Sequence, residues 1–186
     1  MKHESNSVSV RVRPATVADA AELARVHVQS WLGAYRGLLP DEVLDRLSVE
    51  ARTEQWRGWL EPGGERSHTM LAEAERPLGF ATLTIPSRDD GEGPDVGEIP
   101  ALYVEPAAWG RGAGAALLDA SVEAMRSAGC REAILWMLEG NGRAEGFYGR
   151  QGWTLDGGRR PSRHYPGVNY QDLAEELIEV RFRRAL

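Results

Sequence analysis

The chain has a single cysteine, Cys130, among its 186 residues. One thiol cannot form an intrachain disulfide, so we expect a reducing compartment and assign the protein to the cytoplasm. Apolar runs long enough to cross a membrane are missing, and residues 1–13 lack the apolar core of a signal peptide, so no membrane partner is expected. The net charge of −6 disfavours nucleic acid as a partner, because a polyanion attracts basic proteins.

Internal repeats and low-complexity tracts are also missing from the sequence. The hydrophobic content of 42% is enough for an ordinary packed core. A length of 186 residues therefore predicts one domain over residues 1–186, in which residues 1–7 form a loose tail.

The most informative stretch is residues 97–129. It begins with a short apolar run, Ile99–Val104, rich in residues that favour strands. Three glycines follow in the sequence W-G-R-G-A-G at residues 109–114, and an alanine- and leucine-rich run then predicts a helix over residues 115–128. A strand, a glycine loop and a helix together bind phosphate, because backbone N–H groups and the positive end of the helix dipole meet the anion.

Two nucleotide-binding motifs compete for this loop. A Walker P-loop requires Lys-Ser or Lys-Thr after its last glycine, and neither follows Gly114, so this class is excluded. The dinucleotide-binding pattern G-x-G-x-x-A is met by Gly110, Gly112 and Ala115, with Glu139 near the expected distance. A dinucleotide-binding oxidoreductase therefore stays open as an alternative, although its loop normally follows the strand at once within repeated βαβ units.

The same stretch resembles motif A of the GCN5-related N-acetyltransferases, the GNAT family. That motif is an apolar strand, then V-x-P, then a [Q/R]-x-x-G-x-[G/A] loop that opens a helix. Here these parts are Val104-Glu105-Pro106 and residues 109–114, with Trp109 where Gln or Arg is usual. Residues 31–40 are similar to the family's first helix and exit loop. Residues 139–153 resemble its motif B, and the matching positions are Asn141, Ala144, Phe147, Tyr148, Gly152 and Trp153.

The resemblance implies an α/β (α+β) fold with a mixed, mostly antiparallel central sheet flanked by helices. Two central strands, Ile99–Val104 and Ala133–Leu138, would be splayed, and the pantetheine arm of a CoA molecule would enter between them. Free backbone N–H and C=O groups are then expected at Leu102 and Val104, because the pantetheine amides need partners when they are buried. A backbone N–H near Val104 would also steady the oxyanion that forms on the thioester.

A GNAT-like enzyme would move an acyl group from CoA to a primary amine by direct transfer in a ternary complex. We expect acetyl-CoA as the cosubstrate, no metal, and a small-molecule or peptide amine as the acceptor, and a homodimer is left open. A catalytically weak acetyl-CoA-binding sensor or interaction module is an alternative. The expected cofactor-binding residues are Leu102, Tyr103, Val104, Trp109, Gly110, Arg111, Gly112, Ala113, Gly114, Asn141, Ala144 and Phe147.

Acyl transfer to an amine requires two proton transfers. An alkyl ammonium has a pKa of about 10, so a base must remove a proton before the amine attacks. Glu98 is the candidate base because it precedes the central strand, where family members often place an acidic base; its alternative is a plain strand-edge glutamate. His27 and His164 are rival bases. Tyr148 in motif B is the candidate acid for the CoA thiolate, and packing on the sheet is its alternative.

Three aromatic residues, His27, Trp31 and Tyr35, are spaced four apart and share one face of a helix predicted to end near Tyr35. Such a stripe either packs against the sheet or, as the resemblance implies, forms a substrate-binding wall of the acceptor pocket. Two polar segments are predicted to be loops. Residues 86–96 are acidic and solvated, and residues 156–170 carry arginines that are candidates for contact with a CoA phosphate or an anionic acceptor.

Overall fold

The computed structural model describes residues 9–64, 68–162 and 177–186. Within these ranges the chain forms seven strands and five α-helices. The strands are β1 (Arg11–Pro14), β2 (Thr69–Glu73), β3 (Pro77–Thr84), β4 (Val96–Val104), β5 (Glu132–Leu138), β6 (Thr154–Pro161) and β7 (Ile178–Ala185). The helices are α1 (Ala20–Tyr35), α2 (Asp41–Asp45), α3 (Val49–Leu60), α4 (Ala113–Ser127) and α5 (Gly142–Arg150).

All seven strands belong to one sheet with the order β1-β2-β3-β4-β5-β7-β6. Every neighbouring pair is antiparallel except β4 and β5, which are parallel. This is the mixed, mostly antiparallel sheet that the family resemblance implies, and the expectation is confirmed.

Helices cover both faces of the sheet because its strands alternate their side chains between two cores. Leu71 of β2 and Phe80 of β3 pack with α1 and α3. Their neighbours Ala72 and Ala81 lie on the opposite face, in the core that includes the apolar side of α4. Among the described residues, none of the helices combines the length and apolarity needed to cross a bilayer.

The helix boundaries follow local sequence signals. The backbone N–H of Thr16 donates to the Asp19 carboxylate at 2.8 Å in the turn that leads into α1, which is one half of a capping box. Ser48 Oγ accepts from the Ala51 N–H and begins α3. At the end of α4 the chain turns through Gly129, whose φ of 89° lies in the left-handed region that favours glycine.

The two central strands part after a short parallel contact. Residues Val96–Glu98 of β4 pair with Glu132–Ile134 of β5, and the pairing then stops although both strands continue. The remainder of β4 stays paired to β3, and the remainder of β5 stays paired to β7. The predicted splay is confirmed, and it opens a gap beside residues 99–104.

An irregularity in β4 sits where the strands begin to part. Thr82 of β3 lies opposite Ala101, whereas Thr84 lies opposite Glu98, so β4 has one extra residue in this interval. Pro100, which has no N–H to donate, lies within it. The extra residue reverses the alternation of side chains, so that Glu98 and Tyr103 lie on the same face although five positions separate them.

One of the two predicted loops is wrong, and the other is a loop as predicted but is less solvated than expected. Residues 156–161 continue β6, which pairs with β7 and is reinforced by the ion pair between Arg160 and Glu179. Residues 86–96 are not freely solvated, because Asp89 and Glu92 are bound by Arg181 of β7. Residues 163–170 of the second predicted loop, including His164, lie outside the described residues.

Candidate active site

The glycine loop joins β4 to α4 through a short turn at Pro106–Ala108. Gly110 and Gly112 have φ values of 74° and 89°, and nothing lies within 4 Å of a Cβ built on either residue. Both positions therefore need glycine for the backbone conformation and leave open space beside it. The first turn of α4 presents its N–H groups to this space, as a phosphate site requires.

Gly114 has a different role from the other two glycines. A Cβ on Gly114 would lie 3.0 Å from Cζ of Phe147, so the space is taken by that ring. The missing side chain lets α5 approach the first turn of α4. This contact joins the two motif-bearing segments directly.

Trp109 occupies the position where the family usually has Gln or Arg, and its side chain binds the glycine loop to the end of β4. Its indole N–H donates to the carbonyl oxygen of Val104 at 2.7 Å. The guanidinium of Arg143 lies 4.3 Å from the centroid of the Trp109 ring, within cation–π range. The expectation of a free Val104 carbonyl is therefore wrong, because the side chain of Trp109 already donates to it.

The N–H groups along the splayed edge of β4 follow from the strand geometry. The N–H of Glu105 donates to Leu78 of β3 at 2.9 Å. Because successive N–H groups of a strand point to opposite edges, those of Val104 and Leu102 point away from β3, toward the gap. This edge retains the donors that a pantetheine arm needs.

A cavity of about 430 Å³, called here the loop cavity, opens beside these groups. Of the expected cofactor-binding residues, Arg111 and Ala113 do not line it, since Arg111 is exposed and Ala113 is buried in the core. Sequence reasoning missed Arg143 and Arg150, although their spacing from Asn141 places them on the helix that it begins, and it missed Gln151 just after that helix. The expected residues that line it are Leu102, Tyr103, Val104, Trp109, Gly110, Gly112, Gly114, Asn141, Ala144 and Phe147, and Tyr148 joins them.

Two motif B residues have defined partners. Asn141 begins α5, and its side-chain oxygen accepts from the Ala144 N–H at 3.2 Å. Tyr148 lies in the wall of the loop cavity with its ring packed against Phe182 and Trp153. Burial, together with the electrostatic effect of Tyr103, raises the pKa of the Tyr148 phenol above its ordinary value. The phenol therefore stays protonated, and it can donate a proton at neutral pH.

A second cavity of about 630 Å³, called here the Glu98 cavity, lies against α1 and α3. His27, Trp31 and Tyr35 line it, so the aromatic stripe forms a wall as well as part of the core. The two cavities meet at the gap between β4 and β5. The residues that line both are Tyr35, Pro100, Ala101, Tyr103 and Trp136.

Glu98 lies in the wall of the Glu98 cavity and is 8% exposed. Its Oε2 accepts two hydrogen bonds, from the Ser87 hydroxyl at 3.0 Å and from the Arg88 N–H at 3.1 Å. Tyr148 and Glu98 are thus placed in adjoining cavities, one on each side of the gap.

The other candidate groups have different surroundings. His27 is 3% exposed, and its ring stacks on Tyr103 with centroids 5.1 Å apart and also contacts Trp31 and Phe80. Cys130 lines neither cavity, and burial and the nearby Asp95 raise the pKa of its thiol. In the part of the chain that the structure describes, no group of three His, Cys, Asp or Glu residues could hold a metal ion.

The class of protein that this fold and site define is the acyl-CoA-dependent N-acyltransferases. Residues 28–153 match the model of the Acetyltransferase (GNAT) family, and the chain belongs to that family. The dinucleotide-binding alternative is wrong, since the sheet is mostly antiparallel and a separate turn lies between β4 and the glycine loop.

Two relatives and one solved structure illustrate the match. The chain is 31% identical over 134 residues to the uncharacterized N-acetyltransferase YuaI of Bacillus subtilis, covering 71% of this chain and 73% of that protein. It is 30% identical over 181 residues to the probable N-acetyltransferase Rv2775 of Mycobacterium tuberculosis, and the match covers 91% of this chain and 94% of that protein. The fold matches the PaiA N-acetyltransferase of Thermoplasma acidophilum, solved in complex with coenzyme A, with a TM-score of 0.71 at 18% identity over 96% of this chain and 99% of that one. The protein is therefore an acyltransferase enzyme of the GNAT family.

Proposed function

We propose that the protein transfers the acetyl group of acetyl-CoA directly to a primary amine within a ternary complex. The observation that carries this proposal is the meeting of two cavities at the gap between β4 and β5. Tyr148 lies on the side of the glycine loop and Glu98 lies on the other side. An acyl donor and an amine can therefore approach one another from opposite sides without a covalent enzyme intermediate.

The loop cavity fits the cofactor by the chemistry of its groups. The first turn of α4, behind Gly110 and Gly112, suits the negatively charged diphosphate. The N–H groups of Leu102 and Val104 along the splayed edge suit the amides of the pantetheine arm. When bound, acetyl-CoA supplies an acyl group activated as a thioester.

Glu98 would prepare the amine for attack. Its carboxylate accepts the proton that the ammonium loses and passes it to solvent water, and it then accepts, directly or through water, the proton that the nitrogen loses as it attacks. The nitrogen forms a bond to the thioester carbon, and the charge that develops on the carbonyl oxygen is met by a backbone N–H near Val104. Glu98 is suited to the role of base because it lines the Glu98 cavity, across the gap from the loop cavity, and two hydrogen-bond donors hold its carboxylate.

Tyr148 would complete the transfer. As the carbon–sulfur bond breaks, the phenol donates its proton to the CoA sulfur, and the products are the acetylated amine and CoA thiol. Proton exchange with solvent water then restores the Tyr148 phenol and the Glu98 carboxylate. Burial raises the pKa of Tyr148, so the phenol carries this proton at neutral pH.

A thiol-release assay across a panel of amines tests the proposal. The panel contains polyamines, aminoglycosides, amino acids and peptides with free N-termini, each with acetyl-CoA and the wild-type protein. Release of CoA thiol in step with acetylated product supports direct transfer. Binding of acetyl-CoA without turnover on any amine would instead support the sensor alternative.

A further inference from the structure

The segment between β3 and β4, residues 85–95, supplies both groups that hold Glu98. The Ser87 hydroxyl and the Arg88 N–H donate to the same carboxylate oxygen, Oε2, at 3.0 and 3.1 Å. The N–H of Asp89 donates to Ser87 Oγ at 3.0 Å. Because Ser87 Oγ already accepts this bond, its own proton is directed at Glu98. The three consecutive residues therefore act as one tether.

The tether is anchored by the side chain of Asp89. Its carboxylate accepts from the indole N–H of Trp136 on β5 at 3.2 Å, from Arg160 on β6 at 3.3 Å and from Arg181 on β7 at 3.2 Å. The Arg160 guanidinium also lies 4.0 Å from the centroid of the Trp136 ring. Asp89 thus joins the segment that holds Glu98 to strands on the opposite side of the gap.

We propose that Asp89 is a positioning residue for the acyl transfer, acting through Ser87 and Arg88 to fix the carboxylate of Glu98 at the gap. This inference rests on the proposed function. Both donors occupy Oε2, which leaves Oε1 of Glu98 for the proton of the amine. Asp89 itself need not touch either substrate.

The charges around the Glu98 cavity explain why a tether is needed. Arg52 and Arg160 line the same cavity as Glu98. A carboxylate released from its tether is free to pair with a guanidinium, and an ion-paired carboxylate accepts a proton less readily. The Ser87 hydroxyl and the Arg88 backbone N–H fix the orientation of the Glu98 carboxylate without pairing it with a full positive charge.

Four variants of the tether and one control test the proposal by steady-state kinetics. Ser87→Ala removes one donor to Glu98 and should lower kcat about tenfold, with an unchanged KM for acetyl-CoA. Ser87→Thr keeps a hydroxyl and should retain most of the wild-type rate. Asp89→Ala should lower kcat by a similar factor. Asp89→Asn keeps an acceptor oxygen and should lower kcat less. The control Asp156→Asn alters another carboxylate bound to Arg181, outside the tether, and should leave kcat unchanged.

A double-mutant cycle with Glu98→Gln separates positioning from a general effect on the fold. If Asp89 acts through Glu98, adding Asp89→Ala to Glu98→Gln should not lower the residual kcat further. Acetyl-CoA titration gives the concentration of folded sites, so each kcat refers to folded enzyme. An equal loss in both backgrounds, or a Ser87→Ala enzyme with wild-type kcat, would overturn the positioning role while leaving Glu98 as base. A Glu98→Gln enzyme with wild-type kcat would overturn the base assignment itself.

Discussion

The indole N–H of Trp109 donates to the carbonyl oxygen of Val104 across 2.7 Å, and this bond ties the glycine loop to the last residue of β4. The loop is also pressed against α1. A Cβ on Gly33 would lie 2.4 Å from Cγ of Pro106 and 3.3 Å from the Trp109 ring. Trp109 therefore sets the distance between the phosphate-binding turn and the splayed edge of β4.

Replacing Trp109 by Phe should weaken acetyl-CoA binding by about five- to a hundredfold. The change keeps an aromatic ring for Arg143 to cover but leaves the Val104 carbonyl without its donor, at a cost of about 1–3 kcal/mol. Calorimetric titration with acetyl-CoA measures the effect, and circular dichroism checks the fold. An unchanged affinity in a folded protein would show that the hydrogen bond does not organise the cofactor site.

Gly112→Val should reduce both stability and cofactor affinity. A valine at a φ of 89° is strained by about 1–3 kcal/mol, and its side chain enters the open space in front of α4. Gly129→Val is the matched control, since Gly129 has the same φ at the other end of α4 and also has open space beside it. We expect equal losses in urea midpoint but an affinity loss of at least about tenfold only for Gly112→Val. Equal acetyl-CoA affinity in the two variants would contradict the phosphate-loop assignment.

Tyr148→Phe removes one hydroxyl and keeps the packed ring. We expect kcat to fall about 10²-fold, the low end of general acid catalysis, because a CoA thiolate is already a fair leaving group. The KM for acetyl-CoA should stay nearly constant. A variant as active as the wild type, measured with the best amine of the panel, would remove Tyr148 from the mechanism.

The alkaline side of the pH–rate profile gives a second measure of Tyr148. Burial raises the pKa of the phenol above its ordinary value, so its protonated form persists where an exposed tyrosine, with a pKa of about 10, would ionise. Activity should therefore not decline as pH approaches 10. A decline that disappears in Tyr148→Phe would show that the phenol ionises earlier than its burial implies.

Glu98→Gln should lower kcat by about 10²- to 10⁴-fold, as expected for loss of a general base. The loss should be largest below neutral pH, where less of the amine is free of its proton. Acetyl-CoA affinity should barely change, because Glu98 lies outside the loop cavity. Glu139→Gln, which alters a half-exposed carboxylate paired with Arg159, is the control and should keep wild-type rates. A wild-type pH–rate profile in Glu98→Gln would transfer the role to another group or to water.

The free energy of unfolding should fall in acid because of an ion pair beside the start of α1. Hydrogen bonding to Arg13, with help from Thr16, lowers the pKa of Asp19 from its ordinary 3.8 to about 2. A lowered pKa contributes stability that is present above pH 3.8 and is lost as pH falls toward 2. Urea denaturation across this range should show a shallower pH dependence for Asp19→Asn than for the wild type. Asp45→Asn, at an exposed carboxylate on α2, should keep the wild-type dependence.

The sequence was most informative where function constrains several neighbouring residues at once. The glycine loop and the helix after Asn141 have local patterns, so the family, the sheet type and the splay could all be predicted from them. The extra residue in β4 could not, because it depends on how β3 aligns with β4. Without it, Glu98 and Tyr103 would face opposite sides of the sheet.

Long-range contacts account for the wrong predictions about residues 156–161 and about the solvation of residues 86–96. Glycine, proline and arginine near Arg160 are typical of a loop, yet residues 159–161 pair with β7. Asp89 is acidic among acidic neighbours, and its partner Arg181 is far away in the sequence. Charge composition indicates that such residues are polar, but it does not indicate which distant strand they bind.

Five side chains form a wall common to both cavities, and Trp136 and Tyr103 are two of them. Because the two spaces share these residues at the gap between β4 and β5, we expect a single molecule that joins CoA to an amine through a short link to occupy both at once. Binding of the second part is then intramolecular, at an effective concentration that reaches about millimolar when the link is short and fits. Such a conjugate should bind more tightly than acetyl-CoA and the amine bind individually, and the amine that gives the tightest conjugate would identify the natural acceptor.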